Sequence, residues 1–260
     1  MRISWTLAAF LMLAPAGAFA QGIVGSRHDL SVTGNANAHA TTEAELCKFC
    51  HTPHKANSTS LLWNHRQTAV AAFTWGGATI TAAGTTLPSS LKPASKQCMG
   101  CHDGTISVGD LYNGGAGIPS IIAMTGAGLT AGGMLAVGSA YLLASGGDMS
   151  GNHPISIPYA GQANYNGISS TAIANGTIGN YWGVAVAGCN TPSGVCTTAT
   201  GGGLDGTRIN LLRDTTTNTY GIECTSCHEP HNQFGGATGN VYFLRLGMSQ
   251  SVLCRSCHNK

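Results

Sequence analysis

The sequence predicts a mostly irregular backbone, with short helices and a few short strands, wrapped around groups that are not amino acids. Three observations predict it. Only 8% of the 260 residues are charged while 37 are Gly, so the chain is poor in the material of ordinary solvent-facing helices. Little of it carries the sustained apolar period of an amphipathic helix or strand. The pattern Cys-x-x-Cys-His occurs four times: Cys47-Lys48-Phe49-Cys50-His51, Cys98-Met99-Gly100-Cys101-His102, Cys224-Thr225-Ser226-Cys227-His228 and Cys254-Arg255-Ser256-Cys257-His258.

Cys-x-x-Cys-His is the attachment pattern of a c-type haem. Its two thiols form thioethers to the porphyrin vinyls, and the adjacent His supplies one axial nitrogen to the iron. A single copy could belong to a zinc site, but zinc leaves the adjacent His unexplained four times over. Four covalently bound haems are therefore expected. Each macrocycle is a large apolar plate that substitutes for a core, so the unloaded chain is expected to be largely unfolded.

In chain order, Arg2, the apolar run from Ile3 and the small-x-small Ala18-Phe19-Ala20 read as a secretory signal over 1–20. The expected location is accordingly extracellular or periplasmic. Residues 21–260 are expected to form one tetrahaem domain, with a first repeat at about 26–104, an insertion at about 105–150 and a second repeat at about 151–260. Ser26-Arg27-His28-Asp29-Leu30-Ser31 reads as an ordered entry. Thr41-Thr42-Glu43-Ala44-Glu45 has the acidic first turn of a helix leading to Cys47, and Pro53 breaks any helix there. Gly104 marks the exit from the second motif. Ile155–Pro158, Tyr181–Val186 and Val241–Leu244 suggest short elements. No residue from Leu111 to Gly147 is charged, yet eight Gly in 117–147 and the lack of a basic flank argue against a membrane span. Two Cys lie outside the motifs, Cys189 and Cys196, and a local disulfide suits an oxidising compartment.

The motifs form an internal repeat. Each half has a lone His (His28, His153), then Cys-x-x-Cys-His-x-Pro-His (47–54, 224–231), then a plain Cys-x-x-Cys-His. Four bis-His haems need four further imidazoles, and of the six His outside the motifs only His28, His54, His153 and His231 recur in the repeat. The expected iron ligands are thus His51, His102, His228 and His258 on one side and His28, His54, His153 and His231 on the other. His39 and His65 read as ordinary histidines, with His65 the stronger competitor. A His three residues after the proximal one cannot reach the far face of the same macrocycle. His54 and His231 must therefore serve haems other than their own, which sets haems side by side.

Net charge is +2, and eight haem propionates would turn the loaded protein acidic despite its sequence pI of 8.1. With no basic run, nucleic acid is not an expected partner. Abundant small residues and few charges suit a chain that buries surface against copies of itself. A reductase is the rival class, and it needs an open iron position.

Arg27-His28-Asp29-Leu30-Ser31, Phe49-Cys50-His51-Thr52-Pro53-His54, Leu62-Trp63-Asn64, Cys101-His102-Asp103-Gly104-Thr105 and Asn152-His153-Pro154-Ile155 resemble the doubled Cys-x-x-Cys-His multihaem cytochromes. Within that group the four-haem total is similar to the tetrahaem cytochromes that polymerise into extracellular nanowires in metal-reducing bacteria. The resemblance covers both ends of the chain but little of 106–150 or 160–218. It implies bis-His ligation throughout, electron transfer without substrate chemistry, and other copies of the chain as partners in a head-to-tail filament. Redox proteins or extracellular acceptors would be its further partners. In such polymers one distal His ligates a haem of the neighbouring subunit, for which His28 is the candidate by position.

Overall fold

A computed structural model describes residues 22–35, 37–57, 60–82, 84–115, 120–159, 185–187, 208–210, 212–214, 219–231, 243–245, 248, 251–255 and 258. The expected signal, Cys189, Cys196, Cys257 and most of 160–207 lie outside them.

Most of the described backbone is irregular. The helices are α1 (Pro93–His102), α2 (Cys224–Cys227) and α3 (Val252–Arg255), with short 3₁₀ turns at Cys47–Phe49, Ser60–Leu62 and Ser145–Gly147. Pro93 opens α1, where its missing N–H costs nothing. The strands are β1 (His39–Ala40), β2 (Met124–Thr125), β3 (Ile157–Pro158), β4 (Ala185–Ala187), β5 (Arg208–Asn210), β6 (Leu212–Asp214) and β7 (Thr219–Ile222). They pair antiparallel as β1–β2, β3–β7–β6 and β4–β5. Among the described residues no helix is long and apolar enough to cross a membrane.

Several expectations shift in detail. The acidic stretch before Cys47 does not start a helix. Glu43 and Glu45 instead hold Lys48 at 2.8 and 3.0 Å, and only a 3₁₀ turn follows. Of the two suggested strands, Ile157–Pro158 and Ala185–Ala187 are extended. Gly104 does end α1, with φ +73°, and a Cβ there would press on Leu142 at 2.8 Å.

The insertion, uncharged from Leu111 to Gly147, is folded against the first repeat. Val108, Leu111, Ile122 and Leu135 share a buried cluster with Leu30, Ala38, Ala40 and Phe49. Ala144 and Met149 join a second with Phe73, Trp75, Leu91, Met99 and Ile155. Each large apolar side chain buried in these clusters contributes roughly 1.5–3 kcal/mol.

The internal repeat extends into tertiary hydrogen bonds. In the first half Leu62-Trp63-Asn64 returns antiparallel onto the motif: Thr52 N–H donates to Leu62 O (2.9 Å) and Asn64 N–H to Cys50 O (2.8 Å). In the second, Phe243-Leu244-Arg245 does the same, with Glu229 N–H to Phe243 O (2.7 Å) and Arg245 N–H to Cys227 O (2.8 Å). Asn64 Nδ2 then donates to Lys48 O at 2.7 Å, and Arg245 Nε to Thr225 O, one motif position on from the first Cys in each case, at 2.9 Å. Leu62 and Phe243 even share a left-handed backbone, φ 52° and 58°, which is strained for such side chains.

Candidate functional site

Each motif winds one helical turn. The His N–H donates back to the carbonyl of the first Cys at 2.9 Å (His51), 3.0 Å (His228) and 2.9 Å (His258), and the second motif ends α1. One turn puts both Cys and the His on adjoining faces, as a group anchored through all three requires. In α1, Gly100 sits where a Cβ would meet Arg66 O at 2.5 Å, so only glycine lets the helix approach so closely.

The motifs also neighbour one another in chain order. Burial pushes the Cys50 thiol up to about 12, aided by the charges of Cys101 and Cys47. Cys98 is raised foremost by a hydrogen bond with Cys224, which ties the second motif to the third. Cys227 is pushed up to about 11 by burial and by Cys224 and Cys254, a link from the third to the fourth. Cys50, Cys98 and Cys227 are thereby kept protonated and weakly nucleophilic, while the same bond with Cys98 lowers Cys224. Buried Glu223 braces the middle of the row, accepting from Ser95 Oγ at 2.5 Å and Ser156 Oγ at 2.8 Å.

The imidazoles meet in twos. His28 lies opposite His102 with ring centres 6.1 Å apart, His51 opposite His231 at 6.1 Å, and His153 opposite His258 at 6.2 Å. Two imidazoles sharing one metal at about 2.0 Å per bond hold their ring centres about 6 Å apart. Every pair combines a motif His with one from outside the motifs. Sequence separation plays no part, since His51 and His231 come from opposite halves.

Their tautomers fit the same role. Nδ1 faces a carbonyl in His28 (Pro230 O, 3.0 Å), His51 (Leu61 O, 2.6 Å), His102 (Tyr141 O, 2.8 Å) and His153 (Pro154 O, 2.8 Å), and a carboxylate in His231 (Glu229 Oε1, 3.0 Å). A carbonyl or carboxylate only accepts, so Nδ1 carries the proton and Nε2 keeps its lone pair. This outer bond is what metal-ligating histidines ordinarily make. Burial, reinforced by facing His102, drives the pKa of His28 down to about 4, and burial also lowers that of His102. Both rings are thereby held neutral, the form that binds metal.

Surroundings fix these rings further. Asp29 is buried and accepts from Ser31 Oγ at 2.6 Å and Gly25 N–H at 2.8 Å, which shapes the loop beside His28. The His28 ring stacks on Phe243 at 4.5 Å, so the second repeat positions a histidine of the first. His28 thus lies against its own chain rather than reaching outward. His231 stands three residues from His228, and its ring lies 6.1 Å from that of His51.

His54 differs. It is exposed, and among the described residues no ring lies against it. His65 is buried, with Nδ1 2.7 Å from Arg66 O and Nε2 3.0 Å from Ser107 O. Burial opposes charge on this ring, but the Cys101 sulfur beside it and the two carbonyls outweigh that and push its pKa up to about 9. With both nitrogens donating, His65 has no lone pair for a metal. His39 donates from Nδ1 to Asn35 O at 2.9 Å, and no imidazole faces it among the described residues. No cluster of three or more His, Cys, Asp or Glu gathers as a metal-holding group among the described residues.

Sequence reasoning missed Glu229, Arg245, Asn64 and Glu223. The first three belong to the repeat, but the returning triplet starts 8 residues after His54 and 12 after His231, with different side chains, which conceals the match.

No family model matches the chain, and no curated protein is recognisably similar to it.

Proposed function

We propose that the protein is a c-type cytochrome that carries electrons between four covalently bound haems, each held by two imidazoles. The observation that carries this is the three opposed imidazole pairs at 6.1–6.2 Å, each joining a Cys-x-x-Cys-His histidine to one outside the motifs. When bound, haem supplies a one-electron iron centre. The chain supplies the thiols that tether it, the neutral imidazoles that cap both iron faces, and the Nδ1 bonds that hold those imidazoles in place. His28 pairs with His102, His231 with His51 and His153 with His258. In the repeat His54 answers to His231 and His228 to His51, so the exchange that sets His231 beside His51 assigns His54 to His228.

The finer reading is a subunit of an extracellular filament. His54, exposed on its loop, then serves His228 either in its own chain or in the adjoining copy. A soluble periplasmic shuttle is the second reading, and a reductase the third. With both iron faces capped, no face is open to a substrate, which is the ground for electron transfer over catalysis.

The test is expression with haem-maturation machinery and export. Intact mass should exceed that of the processed chain by four haems, and electron paramagnetic resonance should give low-spin signals with no high-spin component. A stoichiometry below four, or a high-spin haem that binds carbon monoxide when reduced, overturns the reading. Electron microscopy separates filament from shuttle: particles that stay short at every concentration remove the filament.

A further inference from the structure

Resting on that reading, the structure assigns Glu229 as a residue that sets the reduction potential of one haem, the one held by His51 and His231, by drawing on the Nδ1 proton of His231. Of the five paired imidazoles whose Nδ1 bond is described, four donate to a backbone carbonyl. Only His231 donates to a carboxylate, Glu229 Oε1 at 3.0 Å. The same oxygen accepts the backbone N–H of His231 at 3.0 Å. It is therefore locked onto this one residue.

The carboxylate has reach because it is dry. The Glu229 side chain is 4% exposed, and a buried charge acts through a low effective dielectric. A carboxylate acceptor pulls the imidazole proton harder than a neutral carbonyl does. The ring becomes more basic toward its metal, the oxidised iron is favoured, and the potential falls. A hydrogen bond to an axial imidazole is a lever on haem potential. Arg245, buried within electrostatic reach of Glu229, offsets part of the field but leaves the bond in place.

The first repeat has no such device. Thr52 stands at the position of Glu229, and its hydroxyl donates to His54 O at 3.0 Å instead. The two halves thus hold their haems with the same backbone and different electronics.

The test is Glu229→Gln in the four-haem protein, read by stepwise redox titration and low-spin electron paramagnetic resonance. Gln keeps an oxygen to orient the ring but removes the charge. One of the four midpoints should move up, and one low-spin signal should change its g-values. Thr52→Val should move none. If Glu229→Gln does not load four haems, Glu229→Asp is the second variant, and its shorter arm should shift the same midpoint by less. Four unchanged midpoints in a fully loaded variant overturn the assignment. Failure of the underlying reading looks different: His231→Ala would then leave all haems low-spin, whereas failure of the Glu229 assignment alone leaves His231→Ala opening one haem.

Discussion

The described parts of 47–64 and 224–245 share a hydrogen-bond pattern and differ in charge. Both close the motif with two bonds, one accepted by the carbonyl of the second Cys and one donated by the N–H of the residue after the motif His. Both bury the side chain that reaches back to the second motif residue, Asn64 in one half and Arg245 in the other. Thr52 and Asn64 are neutral where Glu229 and Arg245 are both buried and lie within electrostatic reach of each other. The neutral copy shows that geometry does not need the charges. Their desolvation is costly and seldom favours stability alone, so they point to a role beyond holding the fold.

The largest expected effect comes from cutting the element both halves share. His231→Ala and His54→Ala should each convert one low-spin haem to high-spin. The haem affected in His231→Ala should be the one tethered at Cys47 and Cys50, and in His54→Ala the one tethered at Cys224 and Cys227. Peptide-resolved mass spectrometry after labelling of the open iron would identify them. Opening of the mutated motif's own haem in either variant would break the exchange between halves.

Acid should act next, and through the first half. The pKa of His28 is held near 4 by burial and His102 against an ordinary value of 6.5. A depressed folded pKa means that the unfolded chain binds the proton more readily. The His28 contribution is therefore complete above pH 6.5 and is lost as pH falls through about 4. Iron held at the same ring lowers the folded pKa further, so unfolding of the loaded protein followed by Soret absorbance should show stability flat from pH 7 to 8 and declining as pH falls below 6.5. His28→Ala should flatten that decline.

Arg245 against Asn64 gives a smaller contrast. Arg245→Met removes a buried positive charge within electrostatic reach of Glu229 together with its bond to Thr225 O, which costs roughly 3–5 kcal/mol. Asn64→Ala removes neutral hydrogen bonds at the matching position and costs about 1–3 kcal/mol. Equal losses in urea unfolding of the two loaded variants would mean that the charges add nothing in place.

The residues of the candidate site were legible in the sequence because the haem attachment proposed above would demand fixed residue types at fixed spacing. The eight histidines of the repeat include all six that meet in pairs, and the prediction that His231 serves another motif follows from reach alone. The expectation of an irregular backbone agrees with the described residues, since short Gly-rich segments give no period to misread. What could not be read is which lone imidazole faces which motif. His28 meets His102 because Phe243 and Pro230 hold it there, and both lie about 200 residues away. Glu229 was hidden differently: its position in Cys-His-Glu-Pro-His is plain, but only the fold shows which atom it bonds. The insertion was illegible because its apolar residues pack singly into clusters, without the spacing that marks a face.

The smallest contrast separates the two histidines outside the repeat, and it tests the rule used to set them aside. His65 donates to two carbonyls in a buried site, so His65→Leu strands both acceptors and should cost about 1–3 kcal/mol. His39 makes one described bond at a half-exposed position, and His39→Ala should stay within about 0.5 kcal/mol. Neither should alter the count of low-spin haems, because His65 has no free lone pair and His39 faces no second imidazole among the described residues. A high-spin signal in His39→Ala would mean that this ring, already fixed through Nδ1, takes a place now assigned to His54. The pairing would then not follow the repeat, and His54 would be left to another role. Destabilisation by His65→Leu with an intact spectrum would instead mark His65 as a brace for the helix that carries the second motif.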